Sequence, residues 1–490
     1  MTDRVSVSPR SLSAGLSGPV SLGLRPLAVA CALLVLAGCS QMEPYQRPAS
    51  ASPDALPTAW PTAPVVAVPG AASASGTPQA LRWQDWITDA RLRSLVDSAL
   101  SNNRDARIAA LQARQLRAQL QIREAARLPS VNAGVTGSRQ TVGENEPIRS
   151  EYTAGLQVPS WEIDFFGRLA SLRDAALGQY LASEEAVRSA QLSLVSSVAS
   201  GWLGLQATDA QLALTRQTLS SREEALRLVR LRFDNGAASA LDLRQAESLA
   251  ETARVALAQQ QRQRAQQVNA LTLLVGQPLN EALSVQALQP EGDALAAVAE
   301  VPVGLPSVVL LERPDIRAAE QQLVAANAQI GAARAAFFPR ISLTASFGSA
   351  SSELSGLLRG GSWGWALAPQ ALLPIFDGGA NRAGLESAQA GRELAVAQYE
   401  RAIQSAFREV NDALMGRGAL EEELRAQQAL ANAESERLRL SELRLREGVA
   451  SQLEVLDAQR SLFAAQQALL QTRFALAQNR VDLYRATGGY

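Results

Sequence analysis

The 490-residue sequence predicts a mainly α-helical chain with a membrane β-barrel portion, laid out as two tandem halves of helix, β-hairpin, very long helix and helix. Three observations predict it. The chain is internally duplicated: residues 231–276 align without gaps onto 443–488 at an offset of 212, and 105–129 onto 315–339 at an offset of 210. Identities include Arg107/Arg317, Gln119/Gln329, Leu231/Leu443, Gly236/Gly448 and Ser239/Ser451. Next, Leu205, Leu212, Leu219, Leu226 and Phe233 recur every seven residues, as do Val455, Leu462, Leu469, Leu476 and Leu483. A sustained seven-residue repeat marks coiled-coil packing. Last, four short segments alternate apolar with small or polar residues, as strands with one face in lipid do.

The chain opens with Arg4, Arg10 and Arg25 ahead of an apolar run, Pro26 to Ala37, closed by Leu36-Ala37-Gly38-Cys39. A basic region, a short apolar run and a small-residue cleavage site make residues 1–38 a secretory signal. Twelve apolar residues are too few to span a bilayer as a helix, which needs roughly 17–25. The ending resembles the lipobox of bacterial lipoproteins, which implies a lipid on Cys39 as the first mature residue. Two acyl chains hold a protein on a membrane where one does not. Ser40 in second place implies sorting to the outer membrane. Residues 39–80, rich in Pro, Ala and Ser, are expected to form an extended lipidated tether.

The first repeat is expected over 81–300 and the second over 301–490, with hairpins at 130–159 and 340–373. Each half starts with a helix, about 89–127 and 307–337, stopped before Pro129 or Pro339. Alternation marks strands at 131–139, 151–158, 340–348 and 362–372, the last carrying Trp363 and Trp365 as candidate membrane-interface aromatics. The long helices should run 167–233 and 379–445, on the order of 100 Å each at 1.5 Å per residue. Four strands cannot close a barrel, for which about eight is the smallest size, and lipid does not tolerate open edges. If the strands span a membrane, several chains must share one barrel.

Composition excludes much else. Hydrophobic residues make up 47% but aromatics only 5%, which suits long helices packed through small side chains. A net charge of −1 offers no broad basic surface for nucleic acid. There is no His and no Lys, so a Ser-His-Asp triad, a His metal ligand and a Schiff-base lysine are all absent. The two cysteines, Cys31 and Cys39, sit near the N-terminus, away from any core. No enzyme activity, metal site or cofactor other than the covalent lipid is expected.

Several blocks are similar to one family. Trp161-Glu162-Ile163-Asp164-Phe165-Phe166-Gly167-Arg168 and Arg313-Pro314-Asp315-Ile316-Arg317-Ala318-Ala319-Glu320 resemble stretches of TolC-type outer-membrane efflux factors. So do Ala335 to Pro339, Pro374-Ile375-Phe376 and Leu456 to Ser461. With the lipobox, the resemblance points to the lipoprotein (NodT) branch that serves RND multidrug pumps, and it covers nearly the whole mature chain. It implies a homotrimer with a twelve-stranded β-barrel in the outer membrane on a twelve-helix α-barrel crossing the periplasm. A periplasmic adaptor and an inner-membrane RND pump would dock at the far end, and transport through this component would be passive. It also implies roles for particular residues. Gly236, Ala237, Ser239, Gly448, Val449 and Ser451 would be adaptor-contacting tips, though Gly and Ser there are also ordinary turn chemistry. Arg417, Leu453, Asp457 and Arg460 would form a periplasmic gate, or else a solvated coiled-coil charge pair. Family members often carry Tyr where this chain has Leu445. The competing readings are a type I secretion channel and a lipid-anchored periplasmic coiled-coil scaffold without a pore.

Overall fold

The structure, a computed structural model, describes residues 41–48, 81–141, 148–279, 297–301 and 307–489. Cys39 and the signal segment lie outside the described residues. The chain divides into two compact units, Met1–Glu43 with Ala126–Ser171 and Gly331–Ala383, and Pro44–Ala125 with Leu172–Ile330 and Gly384–Tyr490.

The first unit is built on one four-stranded antiparallel sheet in the order β1 (Asn132–Gln140), β2 (Arg149–Ile163), β3 (Arg340–Ser351) and β4 (Trp363–Leu372). The central β2–β3 pair joins the two halves of the duplication. Strand β2 is longer than the alternation suggests, because it runs on through Pro159 by means of a register shift between Val158 and Trp161. The shift leaves the Pro159 carbonyl to accept from Thr344 Oγ1 at 3.0 Å, so no donor is demanded of the proline. One row across the sheet is glycine on every strand: Gly134 opposite Gly155, Gly155 opposite Gly348, Gly348 opposite Gly364. A Cβ on Gly155 would lie 2.4 Å from the Phe347 carbonyl oxygen, so glycine is required where these backbones meet.

In the second unit α1 (Trp83–Trp86), α2 (Ala90–Asn102) and α3 (Arg104–Ala125) precede the sheet in sequence. The single helix expected at 89–127 is broken at Asn103, whose backbone is extended. Its side chain accepts from Ala106 N at 2.9 Å and donates to Leu274 O at 2.8 Å, so it restarts the helix and ties it to α5. After β2 come α4 (Arg168–Asp234) and α5 (Ala240–Val275), then a 3-10 turn (Ser307–Glu312) and α6 (Pro314–Ala335). The second expected helix is likewise interrupted, because Pro314 disfavours helical backbone at Arg313. Helices α7 (Ala380–Arg446) and α8 (Gln452–Ala486) complete the chain. Helices α4 and α7 have 67 residues each, about 100 Å of helix.

Half of the seven-residue stripe is core: Leu205, Leu212, Val455, Leu469 and Leu483 are buried, Leu219, Leu226, Leu462 and Leu476 are half-buried, and Phe233, next to the α4–α5 turn, is exposed. The main core gathers Trp86, Trp202, Leu203, Leu310, Ile316, Leu323 and Tyr399. Trp86 stacks on Tyr484 at 4.0 Å between centroids. No described helix is long and apolar enough to cross a membrane.

Candidate functional site

Side chains of the sheet separate by face. In the hydrogen-bonded register Ala133, Leu156, Phe347 and Trp365 stand in one row, and Val135, Ala154, Ser349 and Trp363 in the next on the same side. The opposite side carries Asn132, Gln157, Ser346 and Ala366 beside the glycine row. Alternation with a period of two therefore yields one apolar face and one small or polar face. The apolar face is uncovered: Leu156, Phe347 and Leu367 are at least half exposed, Trp363 is 62% exposed and Trp365 77%. Phe347 touches Trp363 at 5.8 Å between rings, an aromatic cluster at the start of β4. Among the described residues the outer edges of β1 and β4 have no strand partner. An uncovered apolar face with two open edges is stable only in lipid and only beside another copy.

The two helix hairpins end in matching turns. Gly236 has φ +70 and Gly448 φ +75, left-handed values that favour glycine. In the first turn Ala237 N donates to Arg232 O and Gly236 N to Phe233 O; in the second Val449 N donates to Arg444 O and Gly448 N to Leu445 O. Both are Schellman closures of the preceding helix. Ser239 then caps α5 in a reciprocal box: its Oγ accepts from Asp242 N at 3.1 Å, and Asp242 Oδ2 accepts from Ser239 N at 3.0 Å. Donation to that carboxylate from the Ser239 hydroxyl at 2.7 Å, and after it from the Ser239 N–H, holds the Asp242 carboxyl below its usual range. Ser451 caps α8 through Glu454 N. Ala237 is exposed, and Val449 is 64% exposed, so the turns present short, rigid, uncovered ends.

The charged constellation proposed as a gate is divided. Asp457 accepts from Arg437 Nη2 at 2.7 Å and from Arg460, with Arg437 also reaching Glu434 and Ser461. Hydrogen bonding from Arg437 above all holds the Asp457 carboxyl below its ordinary value. Leu453 is exposed one turn nearer the end of the hairpin. Arg417 does not join them. It lies 20 residues before Arg437 on α7, about 30 Å away along the helix, and bonds Glu421 and Glu300 at 2.9 Å each. Glu300 also accepts from Arg480 at 2.7 Å. Within the chain the charged side chains form two separate groups: Arg437–Asp457–Arg460 near the turn, and Arg417–Glu300–Arg480 farther along the pair. Sequence reasoning missed Arg437, although reflecting α7 onto α8 about the Gly448 turn places 437 opposite 459, within one turn of Asp457. Leu445 is half-buried.

The RPDIRAAE block acts as a junction. Arg313 is 6% exposed and donates to Asp315 at 3.0 and 2.7 Å, to Glu409 at 2.9 Å and to the Ala486 carbonyl at 2.6 Å. It thereby ties α6, α7 and the end of α8 together. No group of His, Cys, Asp and Glu with metal-holding geometry occurs among the described residues.

A lipid-facing sheet with open edges, continued in sequence by paired helices of this length with exposed capped turns, defines a protomer of an outer-membrane channel. The outer membrane efflux protein family matches residues 95–277 and 305–489, and the chain belongs to it. Outer membrane protein OprJ of Pseudomonas aeruginosa is 45% identical over 463 residues, covering 93% of this chain and 94% of that protein. The toluene efflux pump outer membrane protein TtgC of Pseudomonas putida is 44% identical, covering 94% and 95%. In the solved open state of the Neisseria gonorrhoeae MtrE outer membrane channel, the match has a TM-score of 0.80 at 37% identity, with 92% and 98% covered. The protein is thus an efflux component of the cell outer membrane, and its fold is that of the outer-membrane efflux channels.

Proposed function

We propose that three copies share one twelve-stranded β-barrel continued by a twelve-helix α-barrel, and that this conduit gives drugs and other small molecules a passive exit across periplasm and outer membrane. The observation that carries it is the sheet: four strands with one apolar face, a small and polar face opposite, and two open edges. Only a ring of copies satisfies those edges in lipid. The small and polar face, with its glycine row, lines the bore and discriminates little among solutes, so selectivity and energy belong to the partner pump. Trp363 and Trp365 seat at the membrane interface. Gly236, Ala237, Ser239, Gly448, Val449 and Ser451 receive a periplasmic adaptor, through which an RND-type inner-membrane pump is engaged. Asp457, held by Arg437 and Arg460, with Leu453 and, farther along the same helix pair, Arg417, narrows the periplasmic entrance. Cys39 carries the lipid anchor. Nucleic acid has no part, and no reaction is catalysed.

The test is native mass spectrometry of protein extracted from outer membranes in mild detergent. A trimer with acyl mass on Cys39 is expected, and Asp457→Ala should raise the conductance of the reconstituted channel while leaving the trimer intact. A monomer without lipid would sink the shared barrel.

A further inference from the structure

Two exposed apolar connectors flank the sheet, one leading into β1 and one leaving β4. The first carries Leu128 and Val131, both more than half exposed, and is pinned by Trp161 Nε1, which donates to the Arg127 carbonyl at 3.1 Å. The second carries Leu373, half exposed, with Ile375 and Phe376 at 95% and 93%. It is held by Asp377, whose two carboxylate oxygens accept backbone N–H groups of Gly379 and Asn381 at 2.9 Å each. Clustered apolar side chains left this bare on a fixed backbone mark an interaction site.

The strand order says what covers them. β1 and β4 are the two edges of a four-stranded sheet that is antiparallel throughout, so they run in opposite directions. Where copies stand side by side in the same orientation, β4 of one and β1 of the next make an antiparallel pair, the end of one strand beside the start of the other. β1 has nine residues and β4 ten. Lipid accepts no open backbone donor, so the pair runs its full length. Odd shifts are barred, because they would turn one strand's apolar side chains to the bore. One register meets both demands, with Leu372 opposite Asn132 of the next copy and Gly364 opposite Gln140.

That register also closes a ring. The row Asn132, Gln157, Ser346, Ala366 arrives at Ser138 of the next copy, six residues farther along β1. Through three copies the row climbs about 60 Å while crossing about 58 Å of strands, a tilt of about 45°, the steep end of the usual barrel range. On the lipid side Trp365 falls opposite Arg139 of the next copy, an indole beneath a cation. Continued past the strand ends, the register sets Leu373 against Val131 and Phe376 against Leu128, apolar on apolar both times.

We infer that copies join β4 to β1 in this register, sealed at the root by Leu373 and Phe376 of one copy packed on Val131 and Leu128 of the next; this rests on the shared barrel. The root excludes water and lipid where the ladder ends. It also fixes register, since a slip of two residues either way puts Phe376 on Ser130 or Ala126.

Cysteine pairs in the full chain read the register, with the parent oxidised alongside as the control for its own cysteines. The matched pairs are Ala366→Cys with Ser138→Cys and Ala371→Cys with Ala133→Cys; one of them is the closer, non-hydrogen-bonded kind. The shifted pairs are Ala366→Cys with Thr136→Cys and Ala371→Cys with Val135→Cys, two residues out in either direction. After oxidation in outer membranes and boiling without reductant, a matched pair should run as linked chains up to three, and the shifted pairs as single chains. Within one copy β1 and β4 lie about 14 Å apart, too far for an internal bridge. Capture by a shifted pair in preference to the matched ones would overturn the register. No capture by any pair would overturn it too, with the shared barrel left standing if native mass spectrometry still finds the parent trimeric; a monomeric parent would remove both. For the root, Phe376→Glu should lose several-fold in heat-resistant trimer, and adding Leu128→Arg should restore it, because each joint then pairs the two charges. Loss without rescue would assign Phe376 to lipid, and no loss would leave it idle; either overturns the root.

Discussion

Replacing Arg313 with methionine tests whether the RPDIRAAE block is the fastener of the last helix. Arg313→Met keeps the aliphatic stem and removes four hydrogen bonds: two to Asp315, one to Glu409 and one to the Ala486 carbonyl. Stripping one partner from a fully buried ion pair costs about 3–5 kcal/mol. Here Asp315 and Glu409 keep 43% and 31% exposure and can turn to water, so the lower end, about 3 kcal/mol, is expected. At 1.36 kcal/mol per factor of ten, local opening at the end of α8 becomes about 100-fold more frequent. The reporters are the amides of Thr487, Gly488 and Gly489, which donate to Leu483, Arg485 and Tyr484 carbonyls. Hydrogen exchange of the C-terminal peptide, read by mass spectrometry, should accelerate by that factor, with the peptide around Ser239 unchanged. A change below about 3-fold would show that Arg313 does not fasten α8, and the cost assigned to its carboxylate partners would be wrong.

Gly155→Ala drives a Cβ to within 2.4 Å of the Phe347 carbonyl oxygen, whereas Gly364→Ala, in the same row, meets nothing within 4 Å. The first should abolish heat-resistant oligomers and the second leave them intact, as read on unheated denaturing gels; equal behaviour would refute the close approach. Ser239→Ala should cost the α4–α5 turn about 1 kcal/mol at neutral pH. Because Asp242 is held below its usual range, the cap's stabilisation is present above about pH 4 and is lost as pH falls through the depressed value. Exchange of the turn peptide, corrected for intrinsic rate, should therefore converge for parent and variant in acid and diverge above it.

What the chain's order of residues determined by itself is local and periodic. The duplication, the 67-residue helices, the alternating strands and the matched glycine turns all depend on residues close in sequence, whose spacing states their structure directly. The strand count even compelled more than one copy, since four strands leave edges that lipid does not accept. The breaks at Asn103 and Arg313 were also written locally, in an Asn able to cap and a proline one place ahead, but the surrounding helical pattern hides them. Partner choice is different, because it depends on the register between distant elements. Whether Asp457 meets Arg437 or Arg417 is a matter of how α7 lies on α8, 20 residues apart in the true pair. Periodicity leaves that register open to shifts of a whole turn. The Tyr45–Glu320 contact is more remote still, its partners 275 residues apart. A lone glutamate at the end of a familiar block carries no sign that a strap of the same chain will lie across it. Only the tertiary structure decided that, because a carboxylate's partner is whichever donor the packing brings within 3 Å.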